Sequence, residues 1–347
     1  MSKLSILLLL LSFFCLPVLN GQNIWNVNNL TSGVNAHFTT LQAAVDSASA
    51  GDIIYLYPSA NNYGAATIDK KLIIIGPGYN ITDNIDSTGI QTYTTSAKVT
   101  NLTLESGSEG SVIMGLDLNS APGNIELYNA SNLLIQRNKI YGIIFMVNSS
   151  NVLLNGNYLY STYNNNSIYD DELYINNDCS TILVANNIFN VQDLGSGDEN
   201  VFVHSSSTAT FKNNIFKDFV NASNCTFKNN IFLNGGVPST SGNVIEYNVF
   251  SSTNPNIPPS NITGVNQDSV FLVPLTALDA EKEFYLNTNS PALGAGEGGI
   301  DAGVFSGDTP YKLSGIPFIP LIYEINAPTS GTSGGGLPIT IKARAEN

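Results

Sequence analysis

The chain has 347 residues and a formal net charge of −14, yet only 12% of its residues are charged. That balance excludes a conventional nucleic-acid binder, whose affinity comes chiefly from basic side chains neutralising phosphates. An apolar fraction of 43% and an aromatic fraction of 10% exclude a disordered acidic tail as well.

Residues 1–21 read as a secretory signal peptide. Lys3 supplies the charged start, "LSILLLLLSFFCLPVL" the apolar core, and "NG" a small residue before Gln22. The apolar run is about sixteen residues, short of the ~20 that a membrane helix needs. The expected location is therefore extracellular or at the cell surface, with no membrane span once the leader is removed. Cys15 lacks the small residue immediately before it that a bacterial lipoprotein site requires. Beyond the leader the chain has Cys179 and Cys225. Secretion makes a disulfide chemically accessible. The two fall in different columns of the repeat described below, so two unpaired, buried thiols are expected.

The segment "HFTTLQAAVDSASAGDIIYLYPS" predicts a short cap. Phe38, Leu41, Ala44, Val45 and Ala48 mark one face of a helix, Thr39 or Thr40 suits its N-cap, and Gly51 its stop. "DIIYLY" then reads as the first strand, and Asp46 and Asp52 as capping and turn residues.

A repeat follows. "TFKNNIF" stands at Thr210–Phe216 and again at Thr226–Phe232. Weaker copies align on Asn138, Asn157, Asn187, Asn214, Asn230 and Asn248, spaced 19, 30, 27, 16 and 18 residues apart, with Gly115 and Gly76 as upstream equivalents. Two positions after these anchors stand Ile140, Leu159, Phe189, Phe216, Phe232 and Phe250. Three before them stand Ile135, Leu154, Val184, Phe211, Phe227 and Ile245. Five before stand Leu133, Val152, Ile182, Ala209 and Cys225, with Asn243 the exception. Apolar residues at alternate positions are the mark of a strand with one buried face. An irregular period of about twenty residues points to a solenoid, whose units bury their faces only by stacking. The anchor suits a turn residue in the left-handed region, and stacked Asn side chains can hydrogen-bond from coil to coil. No helical half-repeat is present, which excludes leucine-rich repeats.

Both ends then carry a family likeness. Phe38, Leu41, Gln42, Ala44, Val45, Asp46, Ala48, Gly51, Asp52, Ile54 and Leu56 match the pattern "F-x-x-L/I-Q-x-A-V/I-D-x-A-x-x-G-D-x-I-x-L". This resembles the opening of right-handed parallel β-helix proteins of the pectin-lyase-like superfamily. "NSPALGAGEGGIDAGVF" is similar to the ending of many secreted bacterial members. The resemblance covers roughly residues 34–305. It implies a fold, not a reaction, because that fold hosts lyases, hydrolases, esterases and non-enzymes. Gly294, Gly296 and Gly299 spell G-x-G-x-x-G, but no helical period follows and no dinucleotide site is expected. The expected organisation is a signal peptide over 1–21, a right-handed parallel β-helix over 22–305, and a C-terminal extension over 306–347. In that extension two strand-like runs flank "NAPTSGTSGGG" and predict a β-hairpin or packing strand. An export or surface-sorting tail is the competing reading.

Chemistry is expected where the intervals between anchors lengthen. "YSTYNNNSIYDDELYINNDCS" holds Asp170, Asp171, Glu172 and Asp178; "VQDLGSGDENVFVHSSS" holds Asp193, Asp198, Glu199 and His204. As loops on consecutive coils they would lie side by side. Converging carboxylates suit calcium, for which Asp170, Asp171, Glu172, Asp198 and Glu199 are the candidate ligands. A facing pair, one carboxyl as general acid and one as base or nucleophile, suits a glycosidase, with Asp171 and Asp198 as candidates; His204 is expected to be a structural histidine, with a base as the competing reading. Solvated loop charge is the third reading. His37 is expected to be structural.

For a lyase the resemblance implies an Arg or Lys base with calcium or another cation neutralising the uronate. The chain has two arginines, Arg137 and Arg344. Arg137, Lys139, Lys212 and Lys228 are therefore the candidates, with Lys212 and Lys228 on neighbouring rungs. The net charge repels a polyuronate at long range. No Asp-x-Asp plus Gly-His-Gly arrangement of the polygalacturonase kind is present. Three functions stay open: a non-catalytic polysaccharide-associated protein whose Tyr158, Tyr160, Tyr163 and Tyr169 stack on sugars, a polysaccharide lyase or glycoside hydrolase, and a structural or adhesive surface element.

Overall fold

A computed structural model describes residues 21–30, 36–81, 95–119, 123–160, 171–190, 199–234, 238–239, 242–254, 256–274, 281–317, 321–331 and 335–344. The strands form three long sheets in which every pairing is parallel. The first sheet has ten strands, from Ile24–Val27 to Val244–Glu246. The second has seven, from Asp117–Leu118 to Val249–Phe250, and the third seven, from Ala66–Ile68 to Phe219–Asn221. One coil shows the path: Leu133–Gln136 in the first sheet, Lys139–Ile140 in the second, Ile144–Val147 in the third, then Ser150–Asn155 back in the first. The molecule is a parallel β-helix.

The duplicated heptapeptide occupies two adjacent rungs. Thr210 pairs with Thr226, Phe211 with Phe227, Lys212 with Lys228, Ile215 with Ile231 and Phe216 with Phe232. The inward columns are closed to solvent, and their rings stack. Phe189, Phe216, Phe232 and Phe250 follow one another at centroid distances of 4.9, 4.9 and 4.6 Å. Each such burial contributes roughly 1.5–3 kcal/mol and each ring pair about 0.5–1.5 more.

The Asn columns divide the work differently from the sequence expectation. Asn138, Asn157, Asn187, Asn214, Asn230 and Asn248 form one buried ladder that ends on the half-buried Asn261. The Oδ1 of each accepts from the backbone N–H and Nδ2 of the one before, at 2.8–3.2 Å. The left-handed residue is not this anchor but the one preceding it: Arg137, Gly156, Asn186, Asn213, Asn229 and Tyr247 have φ between 54° and 64°. Gly115 belongs to that preceding column too, since Met114 pairs with Gln136, and Leu116 takes the ladder position by donating its N–H to Asn138. The "NN" pair therefore encodes two jobs, a turn and then a rung.

The N-terminal cap also differs in one respect. The helix spans Leu41–Ser47 with Thr40 as its N-cap. The first strand, however, is Ile24–Val27, which pairs with Ile53–Leu56 before the helix is reached by sequence logic. Asp52 holds this corner, accepting from the N–H groups of Asn23 and Ser49 and from the Trp25 ring at 2.8–2.9 Å. Burial alone would raise its pKa, but these hydrogen bonds outweigh it and hold the carboxyl below its ordinary value. Gln42 ties the helix to the third sheet, accepting from Thr67 N–H at 2.8 Å and donating to Asp46 at 2.7 Å.

Past the last coil the chain folds back. Ile188, Ile215, Ile231 and Val249 point outward from the second sheet and are buried beneath Val270, Phe271, Phe284, Ala302 and Val304. Residues 296–316 then form a strap running toward the N-terminal coils. Asn229 accepts from Glu297 N–H, Asn186 donates to the Val304 and Ser306 carbonyls, Thr309 donates to Asn155, and Arg137 donates to the Ile316 carbonyl. Gly315, at φ 54°, lies so close to Tyr79 and the Arg137 carbonyl that a Cβ has no room. Leu321–Asn326 and Thr340–Arg344 form an antiparallel hairpin. Among the described residues no helix is long and apolar enough to cross a membrane. Cys179 and Cys225 are free and buried.

Candidate functional site

The two long intervals are not simple loops. Each contains a strand of the third sheet, Leu173–Ile175 and Glu199–Val203, paired in register. This splits the expected acidic cleft. Asp170, Asp193, Asp198, Tyr163 and Tyr169 lie outside the described residues. Asp171 and Glu172 precede one strand, and Glu199 opens the next. Asp178 and His204 follow those strands at the opposite end of the sheet. His204 Nδ1 closes a local turn with Ser206, at 2.9 Å from its hydroxyl. Among the described residues no three His, Cys, Asp or Glu side chains gather as a metal site would require.

Glu172 is a wall residue, not a loop ligand. It is fully buried, its Oε2 accepts from Asn200 Nδ2 at 2.7 Å, and its Oε1 has no hydrogen-bond partner. Burial pushes its pKa well above the ordinary carboxylate value, and the nearby Asp171 and Asp218 push it the same way.

The basic candidates separate as well. Arg137 is buried under the strap. Lys212 and Lys228 do pair on neighbouring rungs, but the next rung is Glu246, and Lys228 sits 3.2 Å from Glu246 and 3.1 Å from Glu297. Lys139 alone stands beside a phenol and a carboxyl. Its Nζ lies 4.9 Å from the centre of the Tyr160 ring and donates to Asn80 Oδ1 at 2.8 Å. On the adjoining rung Asp117 is buried, with Oδ2 accepting from Ser96 at 2.7 Å and Oδ1 unpartnered. Burial raises the Asp117 pKa against the pull of Lys139 and Lys98. Burial, Asp117 and Tyr141 also raise that of Tyr160. Tyr158 is 3% exposed and accepts from Asn190, so it presents no ring to a ligand.

An aromatic face does exist, in a place the anchors did not reveal. On the outer side of the third sheet Phe145, Tyr174 and Phe202 pair in register. Their centroids are 5.7 and 4.6 Å apart and their planes 22° and 24° from parallel. Tyr128 extends the group, 5.7 Å from Phe145, with its hydroxyl donating to Glu126 at 3.1 Å. All four rings are partly or well exposed. The same column is polar on either side, with Thr103 and Glu126 before the rings and Asn221 after them. A ribbon of partly exposed rings between polar ends is uncommon on a purely structural surface, where contiguous apolar patches are small. Its rungs repeat at about 4.8 Å.

No family model and no curated protein matches the chain. Among solved structures, an alginate lyase from Paenibacillus sp. str. FPU-7 is similar over 64% of this chain and 94% of its own, at 15% identity and a TM-score of 0.33. A likeness of that size carries no argument about the site.

Proposed function

We propose that the protein is a secreted, non-catalytic, polysaccharide-associated member of the pectin-lyase-like β-helix group. It holds a glycan chain along the Tyr128, Phe145, Tyr174 and Phe202 ribbon. The in-register ribbon is the observation that carries this reading. Aromatic rings offer apolar area for the C–H faces of a sugar, while the flanking Glu126, Thr103 and Asn221 offer hydrogen-bond partners for its hydroxyls. Rungs at about 4.8 Å repeat at close to the length of one pyranose unit in an extended chain. Glu126 beside the rings and a net charge of −14 favour a neutral glycan over a polyuronate. The apolar leader run over residues 1–21 supports secretion.

The test is retention on a panel of insoluble neutral and acidic polysaccharides, with reducing ends and unsaturated products followed in the supernatant. Retention on a neutral glycan, lost about tenfold in Tyr174→Ala/Phe202→Ala, is the expected result. Retention unchanged in that variant removes the ribbon from the reading. Product release makes the protein an enzyme and directs attention to Lys139, Tyr160 and Asp117.

A further inference from the structure

A second recess lies away from the ribbon, where the C-terminal fold-back crosses the second sheet. It has a volume of about 220 Å³, with Ile215 in its floor and Tyr285, Leu293, Asp301, Phe305 and Ser306 around it. Tyr285 and Phe305 stack at 4.1 Å with planes 17° apart and form one rigid aromatic wall. Tyr285 is 40% exposed and Leu293 43%, so this wall is open to solvent. Asp301 lines the same recess, with one carboxylate oxygen fixed by the Gly294 N–H at 2.8 Å. Among the described residues that line the recess none is basic.

We propose that this recess is a subsite for a single neutral sugar ring, such as a branch or chain end of the glycan held by the ribbon. The proposal rests on the polysaccharide reading but concerns a separate site. Size sets the first limit: the volume suits one pyranose ring and not a chain. Polarity sets the second, because a lining that combines an aromatic pair with a carboxylate and a serine matches a ring that is apolar on one face and hydroxylated at its edge. Charge sets the third. With Asp301 present and no basic side chain among the described residues that line the recess, an anionic sugar or a phosphate meets repulsion without compensation. Because Asp301 is already tethered by Gly294, its position costs little further ordering when a ligand arrives.

Saturation-transfer NMR on the purified protein tests this with soluble trisaccharides of β-1,4-linked glucose, mannose and xylose, and with tri-galacturonate as the anionic probe. The expected result is binding of at least one neutral trisaccharide with a Kd of about 1 mM, weakened about tenfold in Asp301→Ala and in Phe305→Leu. Tyr285→Leu provides the same readout should Asp301→Ala disturb the loop, and thermal unfolding reports the fold of each variant. Tyr174→Ala/Phe202→Ala separates the two sites. If that variant loses retention on insoluble glycan but keeps trisaccharide binding, the recess stands alone. If trisaccharide binding falls with the ribbon variant and ignores the recess variants, the recess proposal is overturned. Tighter binding of tri-galacturonate, or no neutral trisaccharide binding at all, overturns it equally.

Discussion

Phe211 lies directly over Phe227, with ring centroids 4.8 Å apart and planes only 5° from parallel. Both are fully buried, and each also meets a second Phe on its own rung edge to face, at 6.0 Å. Phe227→Ala should cost about 3–5 kcal/mol, because neighbours above and below are held in register and cannot collapse into the cavity. A double-mutant cycle with Phe211→Ala, read by urea unfolding, should return a coupling of about 0.5–1.5 kcal/mol.

The Asn ladder makes a sharper demand. Asn214 Nδ2 donates to the Val184 carbonyl at 2.8 Å and to Asn230 at 3.0 Å, while its Oδ1 accepts from Asn187. Asn214→Ala strands buried donors and acceptors on two neighbouring coils, so a loss of about 3 kcal/mol is expected. Asn214→Asp should be worse at neutral pH, since a carboxylate oxygen then faces two acceptors. Its thermal midpoint should recover as the pH falls and the carboxyl gains a proton.

Glu172 sets a pH dependence of the same sense in the natural chain. Its folded pKa is raised, so between the unfolded carboxylate value of about 4.3 and that folded pKa the native chain binds more protons than the unfolded one. Its contribution to stability is therefore fully present at low pH and is lost as the pH rises through that window. Glu172→Gln keeps an acceptor for Asn200 and cannot ionise. Thermal midpoints of the two proteins should coincide near pH 4 and diverge above it, with the variant the more stable; parallel curves would show that Glu172 is not the group responsible.

Burial at the strap's far end predicts a further loss. The Tyr311 hydroxyl donates to Glu281 at 2.6 Å and lies 2.8 Å from that of Tyr79. Glu281 is fully buried and also accepts from Ser314 N–H at 3.1 Å. Tyr311→Phe should cost about 1–3 kcal/mol, because it leaves a buried carboxyl oxygen short of a donor. Hydrogen exchange should show that cost as faster opening of residues 311–316, with the Phe stack unaffected.

How much of this was legible follows from where the insertions fall. Strands of the first and second sheets stand at fixed distances from the ladder Asn, so Phe211, Phe216 and their relatives formed columns in the sequence. The extra residues sit just before each third-sheet strand. Phe145, Tyr174 and Phe202 consequently stand 7, 17 and 15 residues after Asn138, Asn157 and Asn187. No alignment on the anchor brings those rings together. The one-residue error at Gly115 has another cause: Gly satisfies the left-handed turn position, whereas Asn serves the turn at 186, 213 and 229 and the ladder beside it. Lys139 was legible as a basic residue near a turn, but its partners Tyr160 and Asp117 come from the rungs on either side.

The strap alters how such a molecule comes apart. A bare stack of coils can fray from either end, rung by rung, because each unit touches only its neighbours. Here the hydrogen bond between Tyr79 and Tyr311 spans 232 residues of sequence, and that from Arg137 to Ile316 spans 179. The tail lashes late coils to early ones, so losing the last turn also loosens the third. A linear zipper becomes a closed loop, which should melt as one body. It should also close slowly, since the contacts that seal it join segments far apart in sequence.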